Sequence, residues 1–362
     1  MANETNTIAA TFLETIRERE RTRDEPAAVQ HFTEAYQRLA SFARSAELML
    51  QDRLVRELID GAISLDSNWS FGCIANTCGM IVEWGGTPSI AVEPILDRIT
   101  IQFERIPDFV EAMQTHLGIE HPNQIAENDW PTLGNAYPEH AWVIGEWYAL
   151  RFMGCAAMTM LCRDVQIRKR ARNRIDLMQR AEAARSDNPY AYYLAETLGM
   201  IDDERLLVLD TTRSLGFHVQ LTAIRNNFHF FTLLQDAIQA HNIQPLAVAL
   251  AKGERMLAEI SPNEWAADGN GENDAANWSY YPWTATKATS LEWIWGEAKP
   301  TDIPPFDGVR VVVLCPLEAP RTWSVGYFAP LHPALRSAVQ VESSLSKSEY
   351  DDWMQRLKKN HG

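Results

Sequence analysis

Over the first 200 residues, apolar positions recur at intervals of three and four, the period of helices with one buried face. Between Pro26 and Gly61 they run through Phe32, Tyr36, Leu39, Phe42, Leu48, Leu50 and Leu54, predicting one long helix or two abutting ones. The stretch 69–86 is apolar and glycine-bearing with no clear period, so a hairpin and a buried helix both fit it. Thr87-Pro88 reads as a helix cap, with Pro94 arguing for a break soon after. Ile106-Pro107 opens a helix that closes near Gly118, and the three prolines of 119–138 predict an irregular connection. An apolar helix follows to Cys162, then a basic helical run, then a short helix between Asn188-Pro189 and Gly199.

Near residue 203 the period changes from 3.6 to 2. ERLLVLD (204–210) is a continuous apolar run, and GFHVQLTAI (216–224) alternates, with Phe217, Val219, Leu221 and Ala223 on one face and His218, Gln220, Thr222 and Ile224 on the other. With a turn between them they predict a β-hairpin. Helical spacing returns over 228–241 and 246–260, and Ser261 and Glu264 have capping-box spacing. Residues 266–290 read as a polar, aromatic loop, VRVVVLCP (309–316) as a buried strand with TWSVGYF (322–328) as its neighbour, and 346–359 as a capped terminal helix. The predicted class is α+β: a mainly helical part, residues 1–200, followed by a smaller α+β part, residues 201–362, with a β-hairpin and a short sheet.

Composition narrows the classes. Of 362 residues, 46% are hydrophobic and 22% charged, a globular balance, and the formal net charge is −15. A surface this acidic repels phosphate, which disfavours nucleic acid and suits a basic protein partner. The segment 140–162 is broken by Glu146 and Arg151, so its uncharged part falls short of the roughly 20 residues a membrane span needs. Five cysteines, without C-x-x-C spacing and without an export signal at the start, predict reduced thiols in a cytoplasm. Cys155 and Cys162 are expected to share a buried helix face.

Chemical signals are sparse. An Arg and a His with four to six residues between them, as in HEPN ribonucleases, occur at Arg213/His218 and Arg356/His361. With 26 arginines and nine histidines, chance supplies about two such pairs. Arg213 and His218 moreover straddle a predicted turn and strand rather than a helix. Asn226 or Asn227 suits a helix N-cap, and His229 then falls in the first helical turn as a core or boundary residue. The acidic loop 268–274 begins like an EF-hand, but Asn273 stands where glycine is required and Ser279 where glutamate is required. The basic run 163–174 reads as a solvated helix face. Trp278, Tyr280, Tyr281, Trp283, Trp293 and Trp295 either close the loop onto the sheet or present a stacking surface. No phosphate-loop, dinucleotide, zincin or nucleophile-elbow motif is present, so no cofactor, metal or catalytic residue is assigned.

The segments LGMIDDERLLVLD, GFHVQLTAIRNNFHFFTLLQDAI and WIWGEAKPTDIPPFDGVRVVVL resemble a family of large, uncharacterised bacterial proteins. The likeness lies around 198–240 and 293–314. It implies one continuous architecture and no activity. The expectation from the sequence is a cytoplasmic, non-catalytic protein-interaction or regulatory component of a multi-protein system. Its partner would be another protein, and its binding candidates are Trp278, Tyr280, Tyr281, Trp283, His218, Arg225 and His229. The alternative is an enzyme or small-molecule-binding protein with a pocket between the helical part and the sheet, lined by His218, Arg225 and His229. A HEPN-like ribonuclease is the third reading. Oligomeric state is not legible.

Overall fold

The computed structural model describes residues 2–22, 25–118, 124, 141–240, 273–285, 292–324 and 331–360. The expected connection over 119–138 (Gln124 apart), the helix over 246–260, the capped turn at Ser261, most of the acidic loop and His361 lie outside the described residues. The chain divides into two compact units, Met1–Leu198 and Gly199–Gly362. Among the described residues no helix is long and apolar enough to cross a membrane.

The first unit is helical: α1 (Ala2–Thr22), α2 (Pro26–Ser45), α3 (Leu48–Ile63), α4 (Asn68–Glu83), α5 (Val92–Phe103), α6 (Ile106–Leu117), α7 (Ala141–Arg163), α8 (Val165–Arg172), α9 (Ile175–Ala183) and α10 (Pro189–Leu198). The long predicted helix is thus two, and Gly61 lies inside α3 rather than ending it. Gly61 is there because Leu13 of α1 presses on that turn; a Cβ would stand 2.4 Å from its Cδ1. Pro94 does not break α5, because it falls in the first turn, where backbone N–H groups have no intrahelical acceptor to lose. Gly118 ends α6 at φ 65°, a left-handed C-cap.

The ambiguous stretch 69–86 resolves as helix α4, whose Ser67 hydroxyl accepts the Ser70 N–H at 3.2 Å. It carries no charge before Glu83 and buries almost every side, so it shows no amphipathic period. Its glycines meet α7 at matching seven-residue steps: a Cβ on Gly72 would lie 3.2 Å from the Ala149 carbonyl oxygen, and one on Gly79 would lie 2.9 Å from Ala156 Cα. Small residues on both helices let the two backbones approach.

The basic run is a solvated face only in part: Arg163 and Arg170 are exposed, but the others are engaged within the unit. Arg168 is 2% exposed and donates to the Leu161 carbonyl at 2.8 Å, and Arg172 donates to the Leu198 carbonyl at 3.1 Å. Arg163 pairs with Glu83, and Arg174 with Glu93 and Asp97. The run closes helix ends and bridges helices of its own unit. Cys162 is buried as expected, but Cys155 is exposed.

The second unit is α+β. Strands β1 (Glu204–Asp210), β2 (Leu215–Thr222), β4 (Ser279–Pro282), β5 (Pro305–Phe306), β6 (Val309–Cys315) and β8 (Ala338–Ser344) form one sheet, ordered β4-β6-β1-β2-β8 with β5 on β6. Among the described residues of this sheet, only β1 and β6 run parallel. Strands β3 (Asn273–Ala275) and β7 (Thr322–Ser324) pair separately. Thr322–Ser324 is therefore not the neighbour of β6; β1, β4 and β5 are. Two strands also lie inside the stretch read as loop, because Trp278 and Tyr280 turn inward against helix α11 (Asn227–Ala240).

Leu206 to Leu209 of β1 are buried on both faces. Leu206 and Val208 join the α11 side, with Phe217, Val219, Leu221, Phe230, Phe231 and Leu234. Leu207 and Leu209 join the side covered by Tyr350 and Leu357 of helix α12 (Lys347–Asn360). The hairpin prediction holds: β1 and β2 pair antiparallel, with Asp210 opposite Leu215, and β2 alternates as read up to Thr222; Ile224, read on the His218 face, instead joins the α11 side, because Ala223 turns the chain at φ 52°. The Ser346 and Glu349 capping box of α12 also forms.

Replacing Gly79 by Val should lower the stability of the first unit by about 1–3 kcal/mol, the usual range for forcing volume into a packed seam. Gly145→Ala in α7, where a Cβ meets nothing within 4 Å, should leave it unchanged or raise it. Equal unfolding midpoints for wild type and Gly79→Val would remove the seam as a constraint.

Candidate functional site

The aromatic candidates separate by burial. Trp278, Tyr280 and Tyr281 are 4%, 0% and 2% exposed and face the interior. The Tyr280 ring stacks on Phe231 at 3.8 Å, and its hydroxyl donates to Gln235 Oε1 at 2.9 Å. The Tyr281 hydroxyl accepts the Trp293 indole N–H. Trp283 is half-buried against Phe306 and donates to the Pro304 carbonyl at 2.8 Å. Trp278 and Tyr280 pack into the α11 side and Trp283 against the α12 side, so these residues close the segment onto the sheet rather than form one stacking surface.

Trp295 differs. It is 67% exposed, yet the backbone beneath it is fixed. Its carbonyl accepts Asn227 Nδ2 at 2.8 Å, and the Gly296 and Ala298 carbonyls accept the Phe228 and Asn227 N–H groups at 2.9 and 2.8 Å. Gly296 is required here, because the Phe228 ring stands 2.1 Å from where its Cβ would be. Two orphan backbone N–H groups at the start of α11 and the Asn227 side-chain amide thereby hold the loop that presents the indole.

His218, Arg225 and His229 do not line one cleft. His218 on β2 pairs with Leu207 and so shares the α12 face of the sheet. Its Nδ1 is buried without a hydrogen-bond partner. Burial and then Arg205 push its pKa down, against Glu342 and Glu349. His229 belongs to α11, on the opposite face, and is 3% exposed. Its N–H donates to the Asn226 side chain at 3.0 Å, which makes Asn226 the N-cap, and its Nδ1 accepts the Arg225 N–H at 3.3 Å. Burial, then the Arg225 charge, push its pKa down to about 3. His229 is neutral and staples the turn between β2 and α11.

Arg213 and His218 lie in a turn and a strand, not on a helix. Arg213 sits 3.8 Å from the carboxylate of Asp210 and 5.8 Å over the Trp278 ring. Asp210, itself 1% exposed, accepts the Thr212 and Arg213 N–H groups at 2.9 and 3.1 Å, which folds the hairpin turn.

No group of three or more metal-ligating side chains gathers among the described residues. Burial pushes the thiols of Cys73, Cys78 and Cys162 up to about 12; desolvation of the sulfur also raises those of Cys315 and of Cys155, whose residue is otherwise exposed, which disfavours the thiolate at neutral pH. Sequence reasoning missed Arg321. It lies 4.4 Å over the Trp293 ring and begins no recognisable motif. The double-tryptophan WIW pattern of 293–295 pointed to the right segment without separating the buried partner from the exposed one.

No protein-family model, no curated protein and no solved structure matches this chain.

The neutral His229 makes stability depend on pH. The unfolded chain binds a proton there below about pH 6.5, and the folded one does so only near 3. This share of stability is complete above pH 6.5 and is lost as the pH falls toward 3, at about 1.4 kcal/mol per pH unit. Chemical denaturation of His229→Gln at pH 7, 5.5 and 4.5 should show a slope shallower by one proton than wild type. Identical slopes would mean that His229 is charged or exposed.

Proposed function

We propose that this chain is a non-catalytic component of a multi-protein system, working in the cytoplasm through protein–protein contacts made by its second unit. The observation that carries the proposal is Trp295. An exposed indole on a backbone fixed by three hydrogen bonds loses little entropy when it is buried by a partner, and tryptophan is the residue most enriched where interfaces concentrate their energy. The formal charge of −15 adds long-range attraction toward a basic partner surface.

The test compares wild type, Trp295→Phe and Trp295→Ala, each recovered from cells with its bound proteins. A stoichiometric partner should be retained by wild type, weakened by Phe and lost with Ala. The unfolding free energy of the Ala variant should stay within about 0.5 kcal/mol, as for a surface change. Recovery of the same proteins by Trp295→Ala, or of wild type as a bare monomer by light scattering, would end this reading.

A further inference from the structure

Helix α3 sorts its residues onto two faces. Leu54, Val55, Leu58 and Ile59 are buried in the core of the first unit. The opposite face of a surface helix is ordinarily polar. Here it starts apolar: Leu48 is 54% exposed and Met49 74%. With Asp52, Arg53 and Arg56 these two residues line a groove of about 560 Å³. Steps of three and four residues connect them, so the lining is one helical stripe. The stripe is apolar at its start and cationic at its end, about 12 Å further along the axis.

Two of the polar lining residues are fixed by neighbouring segments. The Asp52 carboxylate accepts the Thr87 N–H and hydroxyl at 2.7 and 2.8 Å. Asn6 of α1 accepts Arg53 Nε at 2.9 Å, which leaves the far nitrogens of that guanidinium without a partner among the described residues. Arg56 is exposed and is paired with no described carboxylate. Two uncompensated guanidinium groups thus stand beside exposed leucine and methionine in a chain whose net charge is −15.

The described lining comes from one helix, so the groove is open along its length. A small molecule laid on it would keep much of its surface in water, whereas small-ligand sites bury roughly 70–90% of their ligand. A second helix fits an open stripe better, because its side-chain ridge packs along the groove. Apolar side chains would then meet Leu48 and Met49, and carboxylates a turn or two onward would meet Arg53 and Arg56. Methionine and arginine are both enriched at interfaces, methionine because its flexible thioether adapts to its neighbour. We infer that the Leu48–Arg56 face of α3 is a docking site for an amphipathic helix of a partner protein that carries carboxylates beside its apolar stripe. This face belongs to the first unit and does not rest on the reading of Trp295.

The full chain, isotope-labelled at its methionine methyls, is titrated with an alanine-based, amidated helical peptide of about 18 residues. The peptide bears two leucines and, a turn onward on the same face, two glutamates. The comparison probes are the same peptide with lysine for glutamate, the same with serine for leucine, and sodium decanoate. The Met49 methyl resonance, assigned by its absence from Met49→Leu, should move saturably with the acidic peptide and with neither altered peptide. Arg56→Glu should weaken the acidic peptide about fivefold and let the lysine peptide bind in its place, an exchange that a merely structural role would not produce. Met49→Ser, followed by calorimetry, should weaken the acidic peptide about tenfold. Both side chains are exposed, so neither change should move the unfolding midpoint, and each variant tests the site independently. A Met49 response to decanoate without one to the acidic peptide would make this a small-amphiphile site. Equal responses to the glutamate and lysine peptides would make it an unselective apolar patch. Either result, an unmoved Met49 resonance, or affinity unchanged in both variants overturns the inference.

Discussion

From Leu206 onward strand β1 has no solvent face, and the second unit is built around that fact. Four consecutive apolar residues, Leu206 to Leu209, must be covered above and below, and the backbone must be paired on both edges. Helix α11 covers one face, α12 covers the other, and β2 and β6 take the edges. The positions of the chemically interesting groups follow. Asp210, where β1 ends, is buried and spends its carboxylate on the turn. His218 and His229 fall on opposite sides of the strand layer. What resembled a catalytic set along the sequence is divided by the sheet that those residues flank.

The first unit answers a different constraint, the close approach of α4 and α7. Glycine and alanine at matching steps bring two backbones together, and close packing there leaves little room for polar side chains. The arginines are used elsewhere. Arg98, Arg168, Arg172 and Arg180 each donate to a backbone carbonyl, those of Leu65, Leu161, Leu198 and Thr100. Most of these carbonyls lie at or just past helix C-termini, where acceptors lack intrahelical partners and the helix dipole favours a cation. A basic run in an acidic chain is thereby explained without any phosphate.

The aromatic residues of the second unit divide into three roles over a short stretch. Trp278, Tyr280 and Tyr281 fill the interior, Trp293 braces a guanidinium, and Trp295 stands in solvent on a fixed loop. Composition cannot separate these roles, because an indole is equally suited to each. Burial separates them, and burial is a property of what lies opposite.

The sequence by itself determined what depends on local periodicity and local hydrogen bonding. The hairpin at 204–222 was legible because alternation has period two, and the end of α6 at Gly118 because only a left-handed residue closes it so. The Asn188 cap and the Ser346–Glu349 box were legible because each closes within three residues. Tertiary structure decided whatever depends on a distant partner. Strand β4 was invisible in a polar stretch because its reason for existing is β6, more than thirty residues onward. Helix α4 was ambiguous because burial on all sides erases the period that would have named it. The stacking of Arg321 on Trp293 had no signature at all, since the two residues are not adjacent along the chain.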